Sequence, residues 1–182
     1  DVIEEEPTQH TLDTVADFLH RGKTVGWMQG RGEIGPRALG NRSILFRPDI
    51  RGGKDRINEI KKRETFRPFG CTILDDYADS YFEMVEDNYM LYTSTFKEPG
   101  RFPAISHIDN TSRVQKLLGS SNLIFYNLLT AFNQKSGLPL LGNTSLNLNG
   151  KPICSNKNDA LQLLSETNLD VLCVGNDIYL NN

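Results

Sequence analysis

The chain has 182 residues, 38% hydrophobic and 24% charged, with a formal net charge of −3, an ordinary balance for one globular core. No apolar run approaches the ~20 residues of a membrane span, and residues 1–6 are acidic where a secretory leader is basic and then apolar. A single soluble, cytoplasmic domain without membrane contact is expected, and the scattered Cys71, Cys154 and Cys173 suit reduced, mostly buried thiols better than disulfides or zinc.

Leu12, Val15, Phe18 and Leu19 recur at helical spacing and stop at Gly22, which predicts a helix over 11–21 after a short acidic lead-in. Residues 24–29 read as a buried strand. From 30 to 41, Gly30, Gly32, Gly35, Pro36 and Gly40 leave room only for a long structured loop. A strand at 43–46, a basic helix at 54–63, a strand at 69–74 and a short helix from Asp75 or Asp76 to Phe82 follow. Residues 86–101 have poor periodicity and the turn signal Pro99-Gly100, so a partly mobile excursion is expected there. Beyond it the reading gives a strand at 103–108, a helix from Leu123 that ends at Gly137, a strand at 139–141 and a polar turn at 143–145. Asn156 caps a last helix, and 171–174 and 178–180 are strands around Gly175-Asn176. The expected architecture is mixed α/β with seven strands.

Familiar phosphate motifs fit poorly. Gly30-x-Gly32-x-x-Gly35 follows a strand, but Gly40 and Asn41 interrupt the helix that a dinucleotide fold needs there. Gly22-Lys23-Thr24 follows a helix instead of the strand of a Walker loop. A triad of His107, Asp109 and Ser145 lacks a Gly-x-Ser-x-Gly elbow, and three separated histidines make no metal cluster. The charge distribution is more informative. Residues 31–67 hold 11 of the 20 Lys and Arg but 5 of the 23 Asp and Glu, a cationic stretch in an acidic chain. Guanidinium forks, ammonium groups and short polar side chains suit a nucleoside triphosphate, with Arg37, Arg42, Lys61, Arg63, Arg67 and Arg113 as candidates. A nucleic-acid-binding module is the competing reading, with Phe66, Phe69 and Tyr77 as stacking partners, and the negative net charge argues against it.

Four runs carry a family resemblance: residues 33–45, 54–69, 107–115, and 143–147 with Pro152-Ile153. On them the chain resembles the C-terminal, YrdC-like domain of the O-carbamoyltransferases of nodulation-factor and antibiotic biosynthesis, over residues 25–180. Lys61-x-Arg63 and Ser145-x-Asn147 also look like the pairs of threonylcarbamoyl-adenylate synthases, so a tRNA-modification module of that kind is the alternative. The resemblance implies a twisted, largely mixed sheet with flanking helices over 11–182, preceded by a linker remnant at 1–10. It implies ATP and carbamoyl phosphate as substrates, Mg²⁺ brought with the nucleotide, and a Kae1-like N-terminal domain, in cis or trans, that passes the carbamoyl group to a hydroxyl. Self-association as a homodimer is left open.

Carried over residue by residue, the resemblance gives catalytic roles to Lys61, Arg67, Arg113 and Ser145. It gives substrate-binding roles to Arg37, Asn41, Arg42, Ser43, Arg63, Asn143, Thr144 and Asn147, and no metal ligand. A plainer reading makes Arg37 or Arg63 an ion-pair partner of Glu33 or Glu64 and lets Asn147 hold a turn. The chain departs from the family pattern at Ile34, at Gly70 and at Lys151, where a Glu is common; Lys151 reverses a charge near Ser145 and bears on the detailed substrate.

Overall fold

The computed structural model describes residues 2–35, 37–83 and 88–181. Helix α1 (Gln9–His20) starts where the Thr8 hydroxyl accepts from the Thr11 N–H, and it buries Leu12, Val15, Ala16 and Leu19 on one face. Strands β2 (Val25–Met28) and β4 (Arg42–Phe46) are buried along their whole length, as expected of central strands covered on both sides. Between them β3 (Gly30–Arg31) pairs with β1 (Val2–Ile3), inside the stretch expected to be a linker remnant. Helix α2 (Gly53–Ile60) turns its Ile57 and Ile60 inward, and β5 (Gly70–Leu74) follows.

A 3₁₀ turn at Asp75–Tyr77 leads into the short α3 (Ala78–Tyr81), then β6 (Thr93–Thr95) and β7 (Thr111–Leu117). Helix α4 (Leu123–Ser136) runs from the Asn122 cap to Gly137, whose φ of 72° supplies the left-handed stop. Strand β8 (Leu140–Ser145) precedes α5 (Lys157–Glu166), whose Asn156 and Asp159 form a reciprocal capping box. Strands β9 (Val171–Val174) and β10 (Asp177–Leu180) close the chain as a hairpin.

Among the described residues eight strands form one mixed sheet in the order β10-β9-β2-β4-β8-β5-β7-β6. The pairs β2/β9 and β5/β7 are parallel and the others antiparallel. Helices α1 and α4 pack on each other and on the sheet, while α5 lies on β9 and β2. This register brings strand ends together: Ser145 faces Ser43, Asn143 faces Gly70, and Gly70 lies against the Arg113 carbonyl. Among the described residues no helix is long and apolar enough to cross a membrane, and all three cysteines are free and buried.

The mixed α/β class holds, with more strands than the seven expected. Residues 103–108 are not a strand. Ile105 and Ser106 both donate backbone N–H groups to the Phe102 carbonyl, so the segment is a turn whose Phe102, Ala104 and Ile105 are buried. The strand lies just beyond, in the more polar β7. Residues 143–145 are the last part of β8 and not a turn. The excursion expected over 86–101 contains β6; residues 86 and 87 lie outside the described residues.

Candidate functional site

At the meeting strand ends a cleft of about 270 Å³ is lined by Arg37, Arg63, Pro68, Phe69, Gly70, Arg113 and the 143–145 end of β8, among others. The three guanidinium groups come from the 30–41 loop, the segment after α2, and β7. Among the described residues no carboxylate lines it. Burial, then the charge of Arg113, pulls the Arg37 pKa below its ordinary value; burial, then Arg67, does the same to Arg63. The Arg37 Nε is buried with no hydrogen-bond partner among the described residues. Cations that depress one another and leave a buried donor open favour an anion between them.

The segment from 61 to 69 is held by Asn58, a fully buried amide in α2. Its Nδ2 donates to the carbonyls of Thr65 (2.9 Å) and Arg67 (3.1 Å), and its Oδ1 accepts from Arg63 Nε at 2.7 Å. The Arg63 guanidinium also stacks 4.5 Å from the centre of the Phe69 ring. Two contacts thus fix the fork toward the cleft before any ligand arrives, which lowers the entropy cost of binding.

Lys61 stands behind the cleft wall. Its Nζ donates to the Ser145 carbonyl (2.6 Å) and hydroxyl (3.3 Å) and to the Asn147 carbonyl (3.0 Å) and side-chain oxygen (2.9 Å). The Ser145 hydroxyl in turn donates to Asn147 Oδ1, and Asn147 Nδ2 donates to the Lys151 carbonyl. One ammonium therefore shapes the whole turn after β8. Only 3% of Lys61 is exposed, and burial, then Arg63, brings its pKa down to about 7. Asn143 reaches the cleft but spends its amide on Thr72, beside Gln115.

The motif at 41–43 is not part of the lining. Arg42 is fully buried and donates to the carbonyls of Gln29 (2.6 Å), Asn41 (2.9 Å) and Gly30 (3.2 Å). The Asn41 side chain accepts from Asn122 Nδ2, and the Ser43 hydroxyl accepts from the Gly40 N–H. Expected to contact substrate, these three side chains are engaged in the structure with the loop's own backbone and with Asn122, since buried backbone polar groups need partners.

The organiser of that loop is Glu33, which residue-type reasoning passed over as an ion-pair partner for Arg37. Its carboxylate accepts from the N–H groups of Leu39 (2.6 Å), Asn41 (2.8 Å) and Arg42 (3.2 Å). Burial raises its pKa against the opposing pull of those bonds. A lone acid inside a glycine-rich stretch was the available signal.

Arg67 is exposed, pairing with Glu64 at 3.2 Å and donating to Asn149, so it flanks the turn without lining the cleft. The expected pairing of Glu64 with Arg63 is therefore replaced. His107 and Asp109 are linked through the Thr111 hydroxyl, which lies 3.1 Å from His107 Nδ1 and donates to Asp109 at 2.7 Å. Ser145 bonds elsewhere, so no triad forms. Among the described residues no group of three His, Cys, Asp or Glu side chains could hold a metal ion.

Sheet order defines an α/β domain of YrdC-like type that carries a cationic cleft. The same fold covers 94% of this chain in full-length HypF, in its phosphate- and nucleotide-bound form, at a TM-score of 0.65, 19% identity and 26% of that chain. The family model described as "Carbamoyltransferase C-terminus" matches residues 16–181, and the chain belongs to that family. It is 40% identical over 169 residues to nodulation protein NolO of Bradyrhizobium diazoefficiens, covering 89% of this chain and 31% of that protein. It is 38% identical over 175 residues to the 3'-hydroxymethylcephem-O-carbamoyltransferase of Amycolatopsis lactamdurans, covering 95% of this chain and 33% of that protein. The chain thus spans about a third of the length of these relatives.

Proposed function

We propose that this domain forms carbamoyl-adenylate from ATP and carbamoyl phosphate, for transfer to an acceptor hydroxyl by a separate Kae1-like domain. The observation that carries the reading is the convergence of Arg37, Arg63 and Arg113, from three separate segments, on one cleft that no carboxylate lines among the described residues. Family membership supports carbamoyl transfer, and the nucleotide in the HypF structure of the same fold supports the ATP half.

Water first releases carbamate and phosphate from carbamoyl phosphate. A carbamate oxygen then bonds to the α-phosphorus of ATP, the bond from that phosphorus to the bridging oxygen breaks, and pyrophosphate leaves with the electron pair. Such a step needs positioning and charge cancellation more than an acid or base. Arg63 and Arg113 neutralise the phosphate oxygens, Arg37 offers its open Nε to the same anion, and the Ser145 end of β8 orients the reacting groups. Lys61 acts through Ser145 and Asn147 as a positioning residue. The cationic lining suits Mg²⁺ only as the nucleotide's complex, where the ion shields phosphate charge.

The test is carbamoyl-phosphate-dependent exchange of labelled pyrophosphate into ATP. Arg63→Ala and Arg113→Ala each remove a charge-assisted contact worth ~1.5–3 kcal/mol, so exchange should drop roughly ten- to more than hundredfold with circular dichroism unchanged. Normal exchange in both variants rejects this placement. Tight RNA binding that falls steeply with salt, without exchange, would favour a nucleic-acid module instead.

A further inference from the structure

Three neighbouring strands carry a buried polar chain behind the cleft. Thr72 of β5 lies in register with Gln115 of β7 on one side and with Leu141 of β8 on the other, and Asn143 follows Leu141 on the same face of β8. Thr72 is fully buried, and Gln115 and Asn143 nearly so. Gln115 Nε2 donates to the Leu39 carbonyl at 3.0 Å, the Thr72 hydroxyl donates to Gln115 Oε1 at 2.7 Å, and Asn143 Nδ2 donates to Thr72 Oγ1 at 2.9 Å. Asn143 also lines the cleft, and its Oδ1 is buried with no hydrogen-bond partner among the described residues.

The direction of this chain is forced from its far end. A backbone carbonyl only accepts, so Gln115 must present its amide nitrogen to Leu39 and its oxygen to Thr72. The single hydroxyl proton of Thr72 then goes to Gln115, and Thr72 Oγ1 is left to accept. Asn143 must therefore turn its nitrogen to Thr72 and keep its oxygen on the other arm of the amide. Reversing either amide would set like groups against each other where no water can separate them.

We propose that Thr72 and Gln115 are positioning residues for substrate selection: acting through Asn143, they hold an acceptor, and not a donor, toward the amino group of a carbamoyl ligand. The inference rests on the carbamoyl phosphate reading of the cleft. Arg37, Arg63 and Arg113 only donate, so they bind the phosphate end of any acyl phosphate alike. Asn143 Oδ1 separates a carbamoyl group from an acetyl group of the same shape, because a methyl in place of the amino group leaves that buried oxygen unpaired. Gln115 also anchors the loop that carries Arg37, which makes Thr72 the cleaner position to change.

Phosphonoacetamide and acetonylphosphonate resist hydrolysis and differ only in an amino against a methyl group. Both are titrated by calorimetry, with inorganic tripolyphosphate as the control for the arginines. Wild type is expected to prefer phosphonoacetamide roughly tenfold or more. Thr72→Val releases the Asn143 amide and should bring the two affinities to near equality with tripolyphosphate unchanged, while Thr72→Ser keeps the hydroxyl and should keep the preference. Gln115→Met frees the Thr72 proton to turn toward Asn143 and should abolish the preference as well. A purely structural role would weaken all three ligands together. That result, a preference undiminished in Thr72→Val and Gln115→Met, or its loss in Thr72→Ser overturns the proposal. A wild type that binds tripolyphosphate without preferring phosphonoacetamide overturns it while the cleft reading stands; if wild type binds none of the three, the reading of the cleft falls and this one with it.

Discussion

The loop from 33 to 42 and the segment from 61 to 69 contain similar side chains, and the fold uses them for different ends. In the loop, Arg42 and Glu33 are turned inward and saturate backbone carbonyls and N–H groups, leaving Arg37 to face the cleft. In the segment after α2 the backbone is already held by Asn58, so Arg63 is free to lean on Phe69 and line the cleft. A cationic side chain is left to line the cleft where something else satisfies the nearby backbone. Where nothing else does, it becomes part of the scaffold.

The contrast can be broken most severely at Gly40, the hinge of the loop. Its φ is 107°, and a Cβ there would fall 2.1 Å from the Phe125 ring carbon Cδ1, so Gly40→Ala combines backbone strain with a clash against α4. A loss above ~4 kcal/mol, or failure to fold, is expected in denaturant titration. A milder loss, of ~2–4 kcal/mol, is expected for Arg42→Met, because buried carbonyls lose their donors. Arg37→Met sharpens the comparison: stability should stay within ~0.5 kcal/mol while tripolyphosphate affinity falls roughly tenfold or more. Equal stability losses in the two arginine variants would show that the loop and cleft roles are not separate.

The smallest expected effect is a fraction of a proton. Burial holds Lys61 near 7 instead of its ordinary 10.5, so above about 7 the free protein has a largely neutral amine there. An anion in the adjacent cleft favours the charged form, so binding should take up protons between those two values, and affinity should fall as pH rises through that window. Calorimetry of tripolyphosphate binding at pH 8 in buffers of different ionisation enthalpy measures the uptake; proton release would contradict this electrostatic account.

Local chemistry made several elements legible. The Asn156 cap, the Gly137 stop and the apolar runs of β2, β4 and β9 depend on a few adjacent residues and survive any tertiary context. Strand β7 was not legible, because its alternating Ser, Arg, Gln and Lys look like surface until pairing with β5 and β6 buries part of them. The error at 103–108 has the opposite origin. Phe102, Ala104 and Ile105 are apolar because they plug the core from a turn, and a short apolar run does not by itself distinguish a plug from a strand. In the site, a cationic cleft was readable from a cationic stretch in an acidic chain. The division of labour among its arginines was not, and neither were the supporting roles of Glu33 and Asn58.

The sequence by itself determined the kinds of group available: guanidinium forks, an ammonium, a serine and asparagines, with the caps and stops that set most helix ends. Tertiary structure decided which of them meet, since only the sheet register places Ser145 beside Ser43 and Gly70 against Arg113. It also decided which point inward, because each buried backbone N–H or carbonyl takes the nearest polar partner and only the remaining charges can face a ligand.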